Sequence, residues 1–276
     1  MAASSKRVQR AAVVTQSSSA DVEEPLVLLR ACAETHRVEL TEPNVGGDDG
    51  APDVDLAIAL GGDGTMLAAL RQFLGTTVPV VGINFGRIGF LTTIPGTDLA
   101  EGIARVFAGD FRVGELATIE ADLDGVRHAA VNDIVATSST PGRMISLGSA
   151  LADEDLGETP CDGLICCTPC GSTAYNLSNG GPVMMRGLAA MAITYVAPHS
   201  LHARPLVVPS GLRLSIVNRT PEVMVAVLVD GHRVGELASG EKLAVDVGAK
   251  RALLALLPNV TFFSRYREVF LSDSSP

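Results

Sequence analysis

Tryptophan is absent and aromatic residues make up only 4% of the chain. A core must therefore be built from Ala, Val, Leu and Ile, which suits an α/β protein with buried strands. Long apolar runs are also missing. Leu26–Leu29 and Leu253–Leu257 fall far short of the roughly 20 residues that span a bilayer. Positive charge is scarce: 21 Lys and Arg face 31 Asp and Glu, for a net charge of −10. That balance argues against a partner that is nucleic acid or an anionic membrane, leaving room only for local basic pockets. No P-loop lysine motif and no secretory apolar region occur, and the expected location is the cytoplasm. The first twenty residues, with Lys6, Arg7 and Arg10 and no acid, faintly resemble a transit peptide. They fit better as a first strand, Val8 to Thr15, before a helix opened by Asp21, Glu23, Glu24 and Pro25.

Cysteine is sparse as well. Four of the five cluster at Cys161, Cys166, Cys167 and Cys170, and no second ligand pair for zinc stands elsewhere. They read as buried, reduced thiols, with a redox pair at Cys167–Cys170 or a metal site as the alternatives.

What the chain has is a hydrophobic content of 47% over 276 residues, enough for two modest domains or one large one. Up to about Leu116, strand-like runs (Val8–Val14, Arg37–Leu40, Leu56–Leu60, Val78–Ile83) alternate with helical ones (Glu24–Glu34, Met66–Leu74, Leu99–Ala108). Alternation of this kind predicts a parallel sheet with crossover helices. Thr41 to Asp53 reads as an acidic, glycine-rich loop. Beyond Leu116 the runs are short and β-rich: Ile119–Leu123, Val126–Asn132, Ile134–Thr137, Met144–Leu151, Gly163–Cys167, Leu212–Val217 and Val223–Val229. They predict a mostly antiparallel second domain. The expected division is an α/β nucleotide-binding domain over 1–116, a β-rich domain over 117–252, and a tail, 253–276, that returns to the first.

The most informative stretch is Gly61-Gly62-Asp63-Gly64-Thr65, placed between an apolar strand and a helical pattern. A glycine turn leading into a helix presents backbone N–H groups and a favourable field to anions. Asp63 is the odd residue, because a carboxylate repels phosphate unless a cation bridges them or it takes a proton from an attacking hydroxyl. The pattern therefore points to phosphoryl transfer. From these residues alone, a tight strand-to-helix turn with Asp63 as a capping residue is the competing reading.

Four further segments follow in order: Asn84-Phe85-Gly86-Arg87-Ile88-Gly89-Phe90-Leu91-Thr92; Val131-Asn132-Asp133-Ile134; Asp162-Gly163-Leu164 with Thr168 to Pro182 (TPCGSTAYNLSNGGP); and Asp230-Gly231-His232. Together with GGDGT they resemble the NAD kinases, over about residues 54–235. The long TPxGSTAYxxSxGGP stretch is far more specific than GGDGT, which lipid kinases share. The resemblance implies transfer of a phosphoryl group from ATP, or another donor, to the adenosine-ribose 2′-hydroxyl of NAD, giving NADP. It implies Mg²⁺ carried by the donor phosphates and a homodimer or homotetramer. Asp63 matches the residue that orients or deprotonates the acceptor hydroxyl. Gly61, Gly62, Gly64 and Thr65 match the donor phosphate turn. The NAD-binding positions implied are Asp63, Gly64, Asn132, Asp133, Arg143, Asp162, Thr173, Ala174, Tyr175, Asn176, Leu177, Ser178 and His232. Asp133 stands where the family has Glu, and Cys167 and Cys170 stand where Ser and Thr are commoner. A lipid kinase of the diacylglycerol or sphingosine type and a non-catalytic NAD-binding sensor are the alternatives. The first lacks support from any basic amphipathic face, and the intact GGDGT argues against the second.

Overall fold

The computed structural model describes residues 2–3, 7–16, 20–42, 51–85 and 89–271. Gly86, Arg87 and Ile88 of the second motif, and residues 43–50 of the expected acidic loop, lie outside them. The chain divides into two compact units, residues 1–115 with 251–276, and residues 116–250.

The first unit carries β1 (Arg10–Val14), α1 (Ala20–His36), β2 (Glu39–Thr41), β3 (Leu56–Leu60), α2 (Asp63–Gln72), β4 (Val80–Asn84) and α3 (Leu99–Phe107). β2, β1, β3 and β4 pair in that order, all parallel. β3 and β4 are buried at every position, as strands covered on both faces must be. α3 turns Leu99, Ile103, Val106 and Phe107 inward at helical spacing. α1 starts earlier than the acidic cluster suggests and holds Pro25 inside it. Leu254 adds a further parallel pairing beside Val80, and residues 251–276 belong to this unit.

The second unit is almost entirely β. Its strands are β5 (Arg112–Leu123, entering the unit at Leu116), β6 (Val126–Ala130), β7 (Asp133–Ser138), β8 (Ile145–Leu151), β9 (Glu154–Cys161) and β10 (Gly163–Cys167). After the short helix α4 (Tyr175–Ser178) come β11 (Ala190–Val196), β12 (Leu206–Pro209), β13 (Leu214–Asn218), β14 (Val225–Val229), β15 (His232–Leu237) and β16 (Lys242–Leu256, leaving the unit after Lys250). A six-stranded sheet runs β12-β11-β10-β7-β14-β15 and is antiparallel throughout. β8 pairs with both β9 and β13, and β13 with the start of β16. The apolar stretch expected to be one strand over Val126–Asn132 ends at Ala130, because Asn132 forms a turn between β6 and β7. Sequence reading gave no strand to β9, β11, β12, β15 or β16. β9 is mostly exposed and polar, and so lacks the apolar alternation that marks a half-buried strand. No helix among the described residues is long and apolar enough to cross a membrane.

Candidate active site

Gly61 follows β3 directly. Its φ of 149° lies in a region that favours glycine, and a Cβ there would fall 2.9 Å from Thr65 Cβ. Gly62 caps α2, and Asp63 is the first helical residue rather than part of the turn. Among the described residues a Cβ on Gly62 would meet nothing within 4 Å, so on that side they leave the turn open to a ligand. The first N–H groups of a helix have no partner within it, which suits an anion. Thr65 is buried beneath the turn.

The Asp63 carboxylate points at an irregular segment. Its Oδ2 accepts the Phe90 N–H at 2.9 Å and its Oδ1 accepts the Leu91 N–H at 3.2 Å. Both oxygens are thereby oriented, and each keeps a lone pair for a further proton. Gly89 makes this approach possible, since a Cβ on it would lie 2.5 Å from Oδ2 and closer still to Oδ1. Sequence reading placed Gly89 and Phe90 in a motif without giving them this task.

In the second unit, Asp230 organises the Asn132 turn. Asp230 and Gly231 both have positive φ, 48° and 80°, and form the two-residue hairpin turn between β14 and β15. The Asp230 carboxylate accepts the N–H groups of Val131 (2.9 Å), Asn132 (2.7 Å) and Asp133 (3.2 Å). Asp133 is buried beside it. Burial, and then the Asp230 charge, push its carboxyl up to about 7. Asn132 Oδ1 is buried with no partner among the described residues. A buried amide oxygen without a donor is costly, which marks it as a place for a ligand N–H or O–H. Asp230 stood in the sequence reading only as the start of a motif, and the signal that finds it is a carboxylate preceding a turn glycine.

The TPCGSTAYNLSNGGP loop is tied to the same turn. Thr168 N–H donates to Asn132 O (2.9 Å) and its hydroxyl to Val131 O (2.6 Å). A Cβ on Gly171 would fall 2.7 Å from Asn132 Cα. Within the loop, Thr173 and Ala174 are half-buried, Leu177 likewise, and Tyr175 and Ser178 are exposed. Asn176 is fully buried and its amide is spent: Nδ2 donates to Ser172 O and Pro182 O, both at 3.1 Å, and Oδ1 accepts from Thr194 at 2.7 Å. Its place is in the scaffold of the loop. α4 is only four residues long, too short to supply a helix-terminus field. Gly180, Gly181 and Pro182 end it.

His232 is exposed and sits beside the Asp230 turn, paired with Val229. Asp162 and Arg143 lie elsewhere. Asp162 precedes β10, whereas the Thr168 loop follows it, and one strand of this length separates them by roughly 20 Å. Arg143 is exposed in the turn after β7, at the Asp162 end of the sheet.

Residues 32–111 match the model of the ATP-NAD kinase N-terminal domain, and residues 131–257 that of the C-terminal domain. The NAD kinase of Heliobacterium modesticaldum is 39% identical over 222 residues, 78% of each chain. The chain belongs to the NAD kinase family. A relative named NAD kinase from Wolinella succinogenes is 29% identical over 277 residues, 95% of each chain. The fold agrees with solved members. Yeast NADH kinase complexed with NADH superposes with a TM-score of 0.85 at 21% identity, covering 98% of this chain and 89% of that one. An Archaeoglobus fulgidus NAD kinase in complex with ATP gives 0.75 at 24% identity, covering 95% and 97%.

The cysteines are all free thiols. Cys161, Cys166, Cys167 and Cys170 are buried, and burial raises the Cys167 and Cys161 thiols to about 12 and the Cys166 thiol too. Among the described residues no group of three His, Cys, Asp or Glu side chains could hold a metal ion.

Proposed function

We propose that this chain phosphorylates the 2′-hydroxyl of the adenosine ribose of NAD, giving NADP. The observation that carries the reading is Asp63, with both carboxylate oxygens oriented by backbone N–H groups beside an open glycine turn. Asp63 accepts the hydroxyl proton as the ribose oxygen forms its bond to the γ-phosphorus of ATP. The bond from that phosphorus to the β,γ-bridging oxygen breaks, and ADP leaves with the electron pair. In a loose transition state the carboxylate contributes chiefly by holding the hydroxyl in line. Gly62, Gly64 and Thr65 receive the donor phosphates through backbone N–H groups, while Gly61, whose N–H is donated to Ile83 O at 2.9 Å, shapes the turn. Mg²⁺ would be held by those phosphates, since such ions keep waters and few protein ligands, and when bound would supply charge neutralisation at the donor.

The acceptor is assigned to the second unit. The unpaired Asn132 oxygen suits an adenine amino group. Asp133, holding its proton near neutrality, donates or accepts at the ribose. Thr173, Ala174, Leu177 and Ser178 line the nucleotide, Tyr175 stacks on it, and His232 borders it. Arg143 and Asp162, at the other end of β10, are assigned to the far part of the dinucleotide. The chain is placed in the cytoplasm, binds no nucleic acid given its charge of −10, and self-associates as a homodimer or homotetramer. The edge strand β12 supports association, because Leu206 and Val207 stand exposed on it.

Purified protein with NAD, ATP and Mg²⁺ should form NADP, read by an NADP-specific coupling enzyme. No NADP with either ATP or polyphosphate overturns the reading, and phosphorylation of diacylglycerol or sphingosine in vesicles would favour the lipid kinase instead. Asp63→Asn should lower turnover by roughly two orders of magnitude while NAD still binds. Near-normal turnover would make Asp63 structural.

A further inference from the structure

The segment Phe90–Thr93 lies between Asp63 and the C-terminal residues of the same unit. On one side, the Phe90 and Leu91 N–H groups hold the Asp63 carboxylate at 2.9 and 3.2 Å. On the other, Arg265, only 8% exposed, donates through Nη2 to Thr92 O at 3.1 Å and Thr93 O at 3.5 Å. Its Nη1 meets Glu268 at 2.8 Å, which balances the buried charge. The Phe90 ring packs against Phe262 and Phe270, with centroids 6.4 and 5.5 Å away. Tyr266 bridges those two, at 6.3 and 5.0 Å. The chain has 8 Phe and 3 Tyr in all, so this gathering of aromatics at one spot is a concentration of a scarce resource.

Residues 90–93 are irregular backbone, outside any helix or strand ladder. Such a segment is placed by whatever its N–H and C=O groups and side chains bind. We propose that Arg265 and the cluster of Phe262, Tyr266 and Phe270 are positioning residues for Asp63, acting through Phe90–Thr93. The C-terminal residues thereby set turnover without touching substrate. The helix Phe262–Tyr266, which carries all of them but Phe270, starts on a reciprocal cap between Thr261 and Ser264, which fixes where it begins. This inference rests on Asp63 as the reacting carboxylate.

The test is a mutant cycle in the full chain, with kcat, both KM values and melting temperature measured. Phe270→Ala should lower kcat about tenfold, a shift of Asp63 well under 1 Å being enough, and leave KM for NAD and ATP within about twofold. Arg265→Ala should cost more, and Arg265→Lys should recover part of the loss, since an ammonium reaches one of the two carbonyls. Phe270 is only half-buried, so its variant carries the test even if Arg265→Ala fails to fold. Phe263→Ala is the control. Phe263 is 61% exposed, and its turnover should be unchanged. In the Asp63→Asn background, Phe270→Ala should change kcat by less than about twofold, because the group being positioned is gone. Equal losses in both backgrounds, a loss confined to KM, an equal loss in Phe263→Ala, or full turnover of Phe270→Ala would each overturn the proposal. An active Asp63→Asn enzyme would overturn the Asp63 assignment and this inference together. An inactive one with an additive cycle would overturn this inference alone.

Discussion

Gly89→Ala separates the placement of Asp63 from its presence. The substitution adds a single methyl beside the carboxylate. The added methyl would stand 2.5 Å from Asp63 Oδ2 and nearer to Oδ1 and Cγ, where ordinary contact begins at 3.4 Å. The carboxylate must therefore retreat by about 1 Å, or Phe90 and Leu91 must move with the methyl, and either way the two N–H bonds are strained. An aspartate end is mobile, so the cost in stability should be small, of order 1 kcal/mol for weakened hydrogen bonds. The cost in turnover should be much larger, because about 1 Å of misplacement at the reacting group can cost about 100-fold. The assay is steady-state NADP formation at saturating NAD and ATP, with a thermal melt of the same sample. The expected result is kcat down by roughly 10- to 100-fold with a melting temperature within a few degrees. A variant with kcat within about twofold of the parent would refute the idea that this contact sets the carboxylate. A variant that loses kcat only in proportion to unfolded protein would refute it too.

Tyr175→Ala should raise the NAD dissociation constant several-fold and leave that for ATP nearly unchanged, because stacking is worth roughly 1–3 kcal/mol and the ring is 46% exposed; isothermal titration of both nucleotides decides it, and equal losses would show a misplaced loop. Asp133 should impose a pH dependence on stability: its carboxyl sits at about 7 in the fold against an ordinary value near 4, so the native state holds a proton that the unfolded state has released between them. Stability from this group is full below about pH 4 and lost as pH rises through about 7, so Asp133→Asn should flatten the fall, by up to about 4 kcal/mol between urea titrations at pH 4 and 8. An unchanged pH profile in the variant would show that Asp133 ionises normally. Cys167→Ser with Cys170→Thr should keep activity, and parent activity should stay level across a thiol–disulfide buffer, because a thiol near 12 is ionised only about once in 10⁵ molecules at pH 7. Reversible inactivation of the parent, absent from the double variant, would reveal a redox switch.

Periodicity and local chemistry made much of this molecule legible in one dimension. Alternating helix and strand runs marked the first unit, and short β runs marked the second, because burial on one or two faces writes itself into neighbouring residues. GGDGT announced a strand-to-helix glycine turn with a carboxylate beside it, since the glycines, the strand before and the helix after all act within a dozen residues. The long glycine and hydroxyl-rich loop with Tyr175 was enough to name a family. What the sequence could not rank were groups whose work depends on distant partners. Asn176 read as a ligand contact, yet Ser172, Pro182 and Thr194 consume its amide, and only the fold brings Thr194 there. Asp230 read as the start of a motif, yet its carboxylate gathers three N–H groups about a hundred residues away and adds to the burial that raises the Asp133 carboxyl. Arg143 and Asp162 read as members of one site with Thr173, yet strand β10 holds Asp162 at its far end. The partners of Asp63, Phe90 and Leu91, lie 27 and 28 residues along the chain, and Arg265 reaches Thr92 across 173. Hydrogen bonds and ring contacts act only within a few ångströms. Sequence therefore determines which chemical groups are available and which local shapes they favour, and tertiary structure decides which of them meet.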